Sequence, residues 1–377
     1  MEILLYENSK GFSNYTSNLC NAIVANCPDA RVSYMTQKNN SEIVSLHSQI
    51  ELMDVLNTYS KSKKYSFGWF QDRIRSSAGN IIARNKLCEH REFDVVCIQA
   101  TIPIIDQFYI SKLKRNAKVV YTAHDVIPPV KSFYYSEHSL RKLYKEVDHI
   151  IVHSETNKEQ LHDVFQIDRK KISVICHGTD VEYKQVDKTA CRKRFGIAEN
   201  KTVFLFYGMI REQKGLDDLI QGLSGIDNIQ LVIAGNMPYG ENFNRYDQLI
   251  QTHKIDCVKM IQYIPNEWTD ELFQACDAVC LPYKYFYSQS GVFMQSIKYR
   301  KPVVVSDVSC FSEYINNYHM GVLCKPCDPD SIHRAAKELL QRFTGNMAQM
   351  KSGLETAAIE NSWEQSAKKY YDCFKRL

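Results

Sequence analysis

Short apolar runs punctuate the chain, and amphipathic stretches fill the gaps between them. The runs are MEILLYE (1–7), FDVVCIQA (93–100), AKVVYTAHD (117–125), VDHIIVHSE (147–155) and KISVICHG (171–178). A second series follows: TVFLFYGMI (202–210), IQLVIAGN (229–236), VKMIQYI (258–264), AVCLPY (278–283) and PVVVSD (302–307). Each run is nearly continuous rather than alternating, the pattern of a strand covered on both faces. Helical stretches such as NYTSNLCNAIVANC and TNKEQLHDVF lie between them, so the unit is strand–helix–strand with parallel pairing. The polar, strand-poor segment TDVEYKQVDKTACRKRFGIAENK (179–201) separates the two series. The pattern predicts an α/β protein of two doubly wound, Rossmann-like domains facing across a cleft, with ligands at the carboxyl ends of the strands.

Composition narrows this reading. A length of 377 residues suits two domains of ordinary size. With 44% hydrophobic and 24% charged residues, the chain has the make-up of a globular protein. No apolar run reaches the ~18 residues that a membrane-spanning helix needs. The opening MEILLYENSKGF has no basic flank, so it reads as a first strand and not as a secretion signal. The 13 cysteines are odd in number and mostly sit inside apolar runs. Cys324 and Cys327 have C-x-x-C spacing, but no second pair follows, which points to reduced structural thiols in the cytoplasm and not to a zinc site. A net charge of +4 gives no argument for nucleic acid.

Two constellations carry candidate chemistry. In YGMIREQKGLDDLIQGL (207–223), Arg211 and Lys214 stand between the end of a strand and the start of an amphipathic helix. Two cations there make a site for a phosphorylated ligand, or else a solvated pair in a polar loop. In YSQSGVFMQSIKYRKPVVVSDVSCFSE (287–313), Ser288, Gln289, Ser290 and Gly291 precede the apolar helical run Val292, Phe293, Met294 and Ile297. The free N–H groups of a helix start favour an anion, and Gly291 lets the backbone come close. The alternative is an ordinary capped helix with Ser288 or Ser290 as the cap. No carboxylate lies between Tyr287 and Arg300.

From Thr202 to Glu313 the chain resembles the nucleotide-binding half of glycosyltransferase family 4, with the GT-B fold. The resemblance rests on FYGMIREQKGLDDLI, LVIAGN, IQYIPNEWTDELFQACDAVCLPY and SGVFMQSIKYRKPVVVSDVSCFSE. Upstream, VVYTAHDVIPP, VDHIIVHSETNKEQL and ISVICHGTD are similar to the family's first domain and hinge; only residues 30–90 match weakly. The resemblance implies an acceptor-binding domain at 1–178 and a nucleotide-sugar-binding domain at 179–361, with the helix at 362–377 crossing back onto the first domain. It implies a retaining transfer of a sugar from a nucleotide-diphosphate sugar, with no metal and no cofactor. Arg211 and Lys214 would neutralise the leaving diphosphate, and His124 matches the family's active-site histidine. Gly11 stands near the family's glycine loop, and Glu313 either caps its helix or touches the donor sugar. Where most members carry two glutamates seven residues apart, this chain has Tyr287 and Gln295. Gln295 retains hydrogen-bonding capacity for ribose hydroxyls, whereas Tyr287 cannot supply a carboxylate's charge.

The remaining expectations concern the acceptor. YSKSKKYSFGWFQDRIR (59–75) mixes Lys61, Lys63, Lys64, Arg73 and Arg75 with Tyr65, Phe67, Trp69 and Phe70. It suits an anionic inner-leaflet membrane surface, or else a helix whose aromatics belong to the core. The acceptor implied is a glycan or a polyprenyl-diphosphate-linked glycan of surface polysaccharide assembly. A non-catalytic subunit that binds nucleotide or a partner transferase is the alternative.

Overall fold

The computed structural model describes residues 1–8, 10–58, 66–127, 136–287, 289–345 and 347–377; side chains at 10, 87–90 and 104–108 also lie outside the description. The chain divides into two compact units, Met1–Gly178 with Trp363–Leu377, and Thr179–Ser362. Among the described residues each unit holds one all-parallel sheet, seven strands in the first and six in the second.

The first sheet comprises β1 (Glu2–Glu7), β2 (Arg31–Gln37), β3 (Glu51–Leu56), β4 (Val95–Ala100), β5 (Lys118–Thr122), β6 (His149–Val152) and β7 (Ile172–Val174). Their order across the sheet is β3-β2-β1-β4-β5-β6-β7. The second comprises β8 (Thr202–Tyr207), β9 (Ile229–Ala234), β10 (Cys257–Met260), β11 (Ala278–Leu281), β12 (Val303–Ser306) and β13 (Gly321–Cys324), ordered β10-β9-β8-β11-β12-β13. Both orders reverse once, between β1 and β4 and between β8 and β11. At such a switch point the connections leave in opposite directions and open a crevice at the carboxyl ends.

Every apolar run became a strand, and the strands at 95–100, 149–152, 278–281 and 303–306 are buried throughout. β2, β3 and β13 had no such signal. β2 (RVSYMTQ) is polar in sequence yet buried, because Tyr34 and Thr36 donate to the fully buried Glu7 carboxylate at 2.6 and 2.9 Å, and Gln37 donates to the Asn8 carbonyl at 2.9 Å. β3 is an edge strand carrying Glu51 and Asp54 outward, which discourages pairing with a further strand.

Helices cover both faces of each sheet. The terminal helix Trp363–Lys375 packs on helix Ser13–Asn26 within the first unit, burying Ala367, Tyr370, Cys373 and Phe374 beside Tyr15, Leu19 and Ile23. The cysteines whose side chains are described are free thiols, most of them buried. Among the described residues, no helix is long and apolar enough to cross a membrane.

Candidate active-site residues

In the second unit, the site is assembled where β8 and β11 end, on either side of the switch point. The chain leaves β8 through Gly208, turns at Glu212–Lys214, and enters helix Leu216–Gly222 through Gly215. Gly215 has φ 69°, and a Cβ there would overlap the carbonyl of Pro282. Only glycine allows the β8 turn to lie this close to the exit of β11.

Lys214 is held beneath two rings of that exit. Its ammonium lies 3.7 Å from the centroid of Tyr283 and 5.0 Å from that of Phe286. Burial, and secondarily the Arg211 guanidinium, pull its pKa down to about 7. The nearby carboxylates serve other cations: Asp217 bonds Lys284 at 2.8 Å and Arg245 at 3.0 Å, and Asp218 lies 3.5 Å from Lys284. No carboxylate among the described residues pairs with Arg211 or Lys214. Lys214 is thus half-buried with no acid beside it among the described residues, a costly setting for its ammonium unless an anion arrives, while Arg211 next to it is exposed.

The adjoining helix, Gly291–Lys298, supplies donors. Ser290 is its N-cap: the Ser290 hydroxyl is buried, accepts from the Phe293 N–H at 3.3 Å and meets the Tyr283 hydroxyl at 3.0 Å. This orients the helix start and leaves the N–H groups of Gly291 and Val292 without an acceptor among the described residues. The start lies beside the β8 turn, since a Cβ on Gly208 would be 3.4 Å from Val292 Cγ2. Gln289 faces inward, donating to Met294 Sδ at 3.1 Å and accepting from Cys310 Sγ at 2.9 Å. Gln295 Oε1 is buried with no hydrogen-bond partner among the described residues. Such an orphan acceptor costs free energy until a ligand hydroxyl donates to it. Tyr287 is 37% exposed beside Tyr285. Glu313 stands in the first turn of helix Phe311–Tyr318, close enough to Cys310 to help raise its thiol pKa to about 12, an effect due mainly to burial. Ser288 lies outside the described residues.

In the first unit, three neighbouring strands end in histidines: His124 after β5, His153 after β6 and His177 after β7. Phe12, the residue after Gly11, stacks on His124 with centroids 4.3 Å apart, and the Tyr15 ring touches all three imidazoles. Burial holds all three pKa values down, to about 4 for His153 and about 3 for His177, so the rings are neutral. Their tautomers follow. His153 Nδ1 lies 2.9 Å from the Ile175 carbonyl and must donate to it, so His153 Nε2 accepts from His124 Nδ1–H at 3.0 Å. His124 Nε2 is then bare and needs a donor from Gln99, whose amide oxygen is placed 3.3 Å away; turning the amide over supplies it. The turned Gln99 oxygen accepts from Thr122, which accepts from Tyr370 at 3.1 Å, which accepts from Tyr15 at 3.1 Å. One unidirectional chain therefore runs from the Tyr15 hydroxyl to the Ile175 carbonyl, and both ring nitrogens of His124 are spent within it.

Sequence reasoning singled out His124 but missed Gln99, His153, His177 and Tyr15. The signal was present in YTAHD, IIVHS and VICHG, a histidine just beyond three successive strands.

Residues 187–351 match the family described as Glycosyl transferases group 1, and residues 9–183 match Glycosyltransferase Family 4. An uncharacterized glycosyltransferase of Methanocaldococcus jannaschii is 26% identical over 238 residues, covering 60% of this chain. The chain spans 59% of that relative's length. Among solved structures, sucrose-phosphate synthase from Thermosynechococcus elongatus superposes with a TM-score of 0.77 at 17% identity, covering 100% of this chain and 99% of its own. HepE of Anabaena, solved with UDP, superposes at 0.75 with 17% identity and 100% of both chains covered. The chain belongs to glycosyltransferase family 4 and has the two Rossmann-like domains of the GT-B fold.

Proposed function

We propose that the chain is a retaining, metal-independent hexosyltransferase. It moves a sugar from a nucleotide-diphosphate sugar to a glycan or lipid-linked glycan, in the assembly of a surface polysaccharide. The observation that carries this reading is the pairing of Arg211 and Lys214, which lack carboxylate partners among the described residues, with the N–H groups of Gly291 and Val292, which lack acceptors there. Bond cleavage at the anomeric carbon leaves negative charge on the nucleotide diphosphate. Fixed donors already aimed at that position stabilise it without reorganisation, the role a divalent cation plays elsewhere. Arg211 offers a planar fork to phosphate oxygens, Lys214 a point charge, and the orphaned Gln295 Oε1 accepts from a ribose hydroxyl. Solved complexes of HepE hold UDP and UDP-glucose, which supports a nucleotide sugar as donor.

Retention follows if the acceptor hydroxyl attacks from the face that the diphosphate leaves, with a donor phosphate oxygen taking its proton. No protein nucleophile is then needed. His124, neutral and hydrogen-bonded through both nitrogens, positions the loop around it and neither gives nor takes the proton.

We place the enzyme in the cytoplasm, on the inner face of the membrane. Helix Phe67–His90 supports this, with Phe67 and Ile74 78% and 70% exposed and Phe70 and Ile82 also exposed. Trp69 is buried instead, under the Arg73 guanidinium. Lys61, Lys63, Lys64 and Tyr65 lie outside the described residues.

The test is thermal stability with UDP, GDP, ADP and their sugar conjugates, without metal, on the native chain and on Arg211→Ala and Lys214→Ala. A ligand at 100 times its dissociation constant adds about 2.7 kcal/mol. A shift with one nucleotide, lost in both variants, supports the donor site. No shift with any nucleotide would leave the non-catalytic reading in first place.

A further inference from the structure

The carboxyl edge of the first sheet holds a second polar site, well away from the histidines. A hollow of about 440 Å³ lies where β2 and β3 end, lined by Lys38, Asn39, Asn57, Thr58, Arg75 and Ser76. Among the described residues its lining is two cations, two amides and two hydroxyls, with no carboxylate and no apolar residue. Elsewhere in this unit cations sit on acids, as Arg31 on Glu2, Lys114 on Asp148 and Arg169 on Glu159. Among the described residues, Lys38 meets only the Asn57 side-chain oxygen, at a long 3.4 Å, and Arg75 pairs with no acid.

Lys38, Asn39, Thr58 and Arg75 are exposed at the rim, and a buried group stands behind Asn57. Asn80, almost wholly buried, accepts from the Asn57 N–H at 2.6 Å and donates to the Asn57 carbonyl and to Asn8, each at 3.2 Å. The exits of β1 and β3 are thereby clamped together. Gly79, within helix Phe67–His90, leaves the space that the Asn57 amide fills, since a Cβ there would overlap Asn57 Nδ2. Glycine inside a helix is unfavourable against alanine, and here it lets a hydrogen-bonding side chain stand at the rim of the hollow.

We propose that this hollow is the subsite for the anionic group of an acidic sugar, phosphorylated or uronic, on the acceptor. The proposal rests on the glycosyltransferase reading above and adds the acceptor's chemical class. A ring bearing hydroxyls and one anion matches the lining: Lys38 and Arg75 take the charge, and Asn57, Thr58 and Ser76 take hydroxyls. A neutral sugar would draw nothing from the charge of either cation, both of which are exposed to solvent. The subsite lies at the carboxyl ends of β2 and β3, outside the switch point between β1 and β4.

The experiment is calorimetric titration at low salt with glucose 6-phosphate, glucuronate and glucose. It uses the native chain, Lys38→Met, Arg75→Gln and Gly79→Ala, and the double variant Arg211→Ala/Lys214→Ala, which removes the competing phosphate site. Both acidic sugars, or one of them, should bind the native chain and the double variant equally, while glucose does not. Lys38→Met and Arg75→Gln should each weaken that binding about 10- to 100-fold, as expected for loss of one charge-assisted hydrogen bond, and Gly79→Ala should weaken it without loss of melting temperature. Binding of glucose 6-phosphate alone would identify a phosphate subsite, and of glucuronate alone a carboxylate subsite. Binding lost in the double variant, unchanged in Lys38→Met and Arg75→Gln, or absent throughout would overturn the proposal. Nucleotide binding measured on the same preparations separates this failure from failure of the donor site.

Discussion

At the scale of single residues, Lys214 is the group whose chemistry depends most on its surroundings. Its pKa of about 7 means that the free protein loses this charge near neutrality. A diphosphate needs the ammonium form, so nucleotide affinity should be level below about pH 7 and fall by up to tenfold per pH unit above it. Lys214→Arg should flatten that profile, because arginine stays charged. Stability without ligand runs the other way. The folded pKa lies below the unfolded one of about 10.4, so the unfolded chain binds the extra proton between pH 7 and 10. Lys214's contribution to stability therefore rises with pH across that window. Lys214→Met should raise the melting temperature of the free protein at pH 6 and abolish nucleotide binding; a lower melting temperature would show that the ammonium is not a stored cost. Ser290, Gly291, Arg211 and Lys214 were all legible as donor-site candidates from spacing at strand and helix ends. The carboxylate partition was not, because Asp217 stands as near to Lys214 in sequence as Arg211 does and Asp218 only one residue farther, and only packing turned them toward Lys284 and Arg245.

Single elements divide residues that sequence alone treats as equivalent. Helix Phe67–His90 carries Phe67, Trp69, Phe70 and Ile74 within two turns, and the backbone turns Trp69 inward and the others out. Trp69→Ala should cost about 3 kcal/mol or more, read as a drop in denaturation midpoint. Phe67→Ser with Ile74→Ser should change stability by less than about 0.5 kcal/mol while reducing association with vesicles rich in anionic lipid. Equal loss of stability in both would place the whole stripe in the core. The β8 turn is the other sensitive element. Gly215→Ala meets both a left-handed φ and the Pro282 carbonyl, so it should lower stability by more than about 1 kcal/mol and weaken nucleotide binding through a displaced Lys214. The strands of both sheet centres were legible because burial on two faces demands continuous apolar residues. β2 and β3 were not: one satisfies a buried carboxylate, and the other lies at an edge, so neither needs an apolar run.

For the whole molecule, the order of contacts along the chain departs from the order of sequence. Residues 363–377 follow the second unit yet complete the first, where Tyr370 links Tyr15 to Thr122 in the histidine-bearing chain. Deleting 363–377 should therefore destabilise the first unit and leave the second folded. Calorimetry should show two transitions in the truncated chain, with only the first-unit transition lowered. A uniform shift of all unfolding would contradict this assignment.

The sequence by itself determined the two parallel sheets and the positions of the candidate phosphate-binding cations, because burial periodicity and strand-end placement are local properties written in neighbouring residues. Tertiary structure alone decided which cations kept a free charge, which way the histidine chain points, and that Lys38, Asn57 and Arg75 line one hollow. Those outcomes depend on groups tens of residues apart competing for the same partners, and no local pattern records who wins.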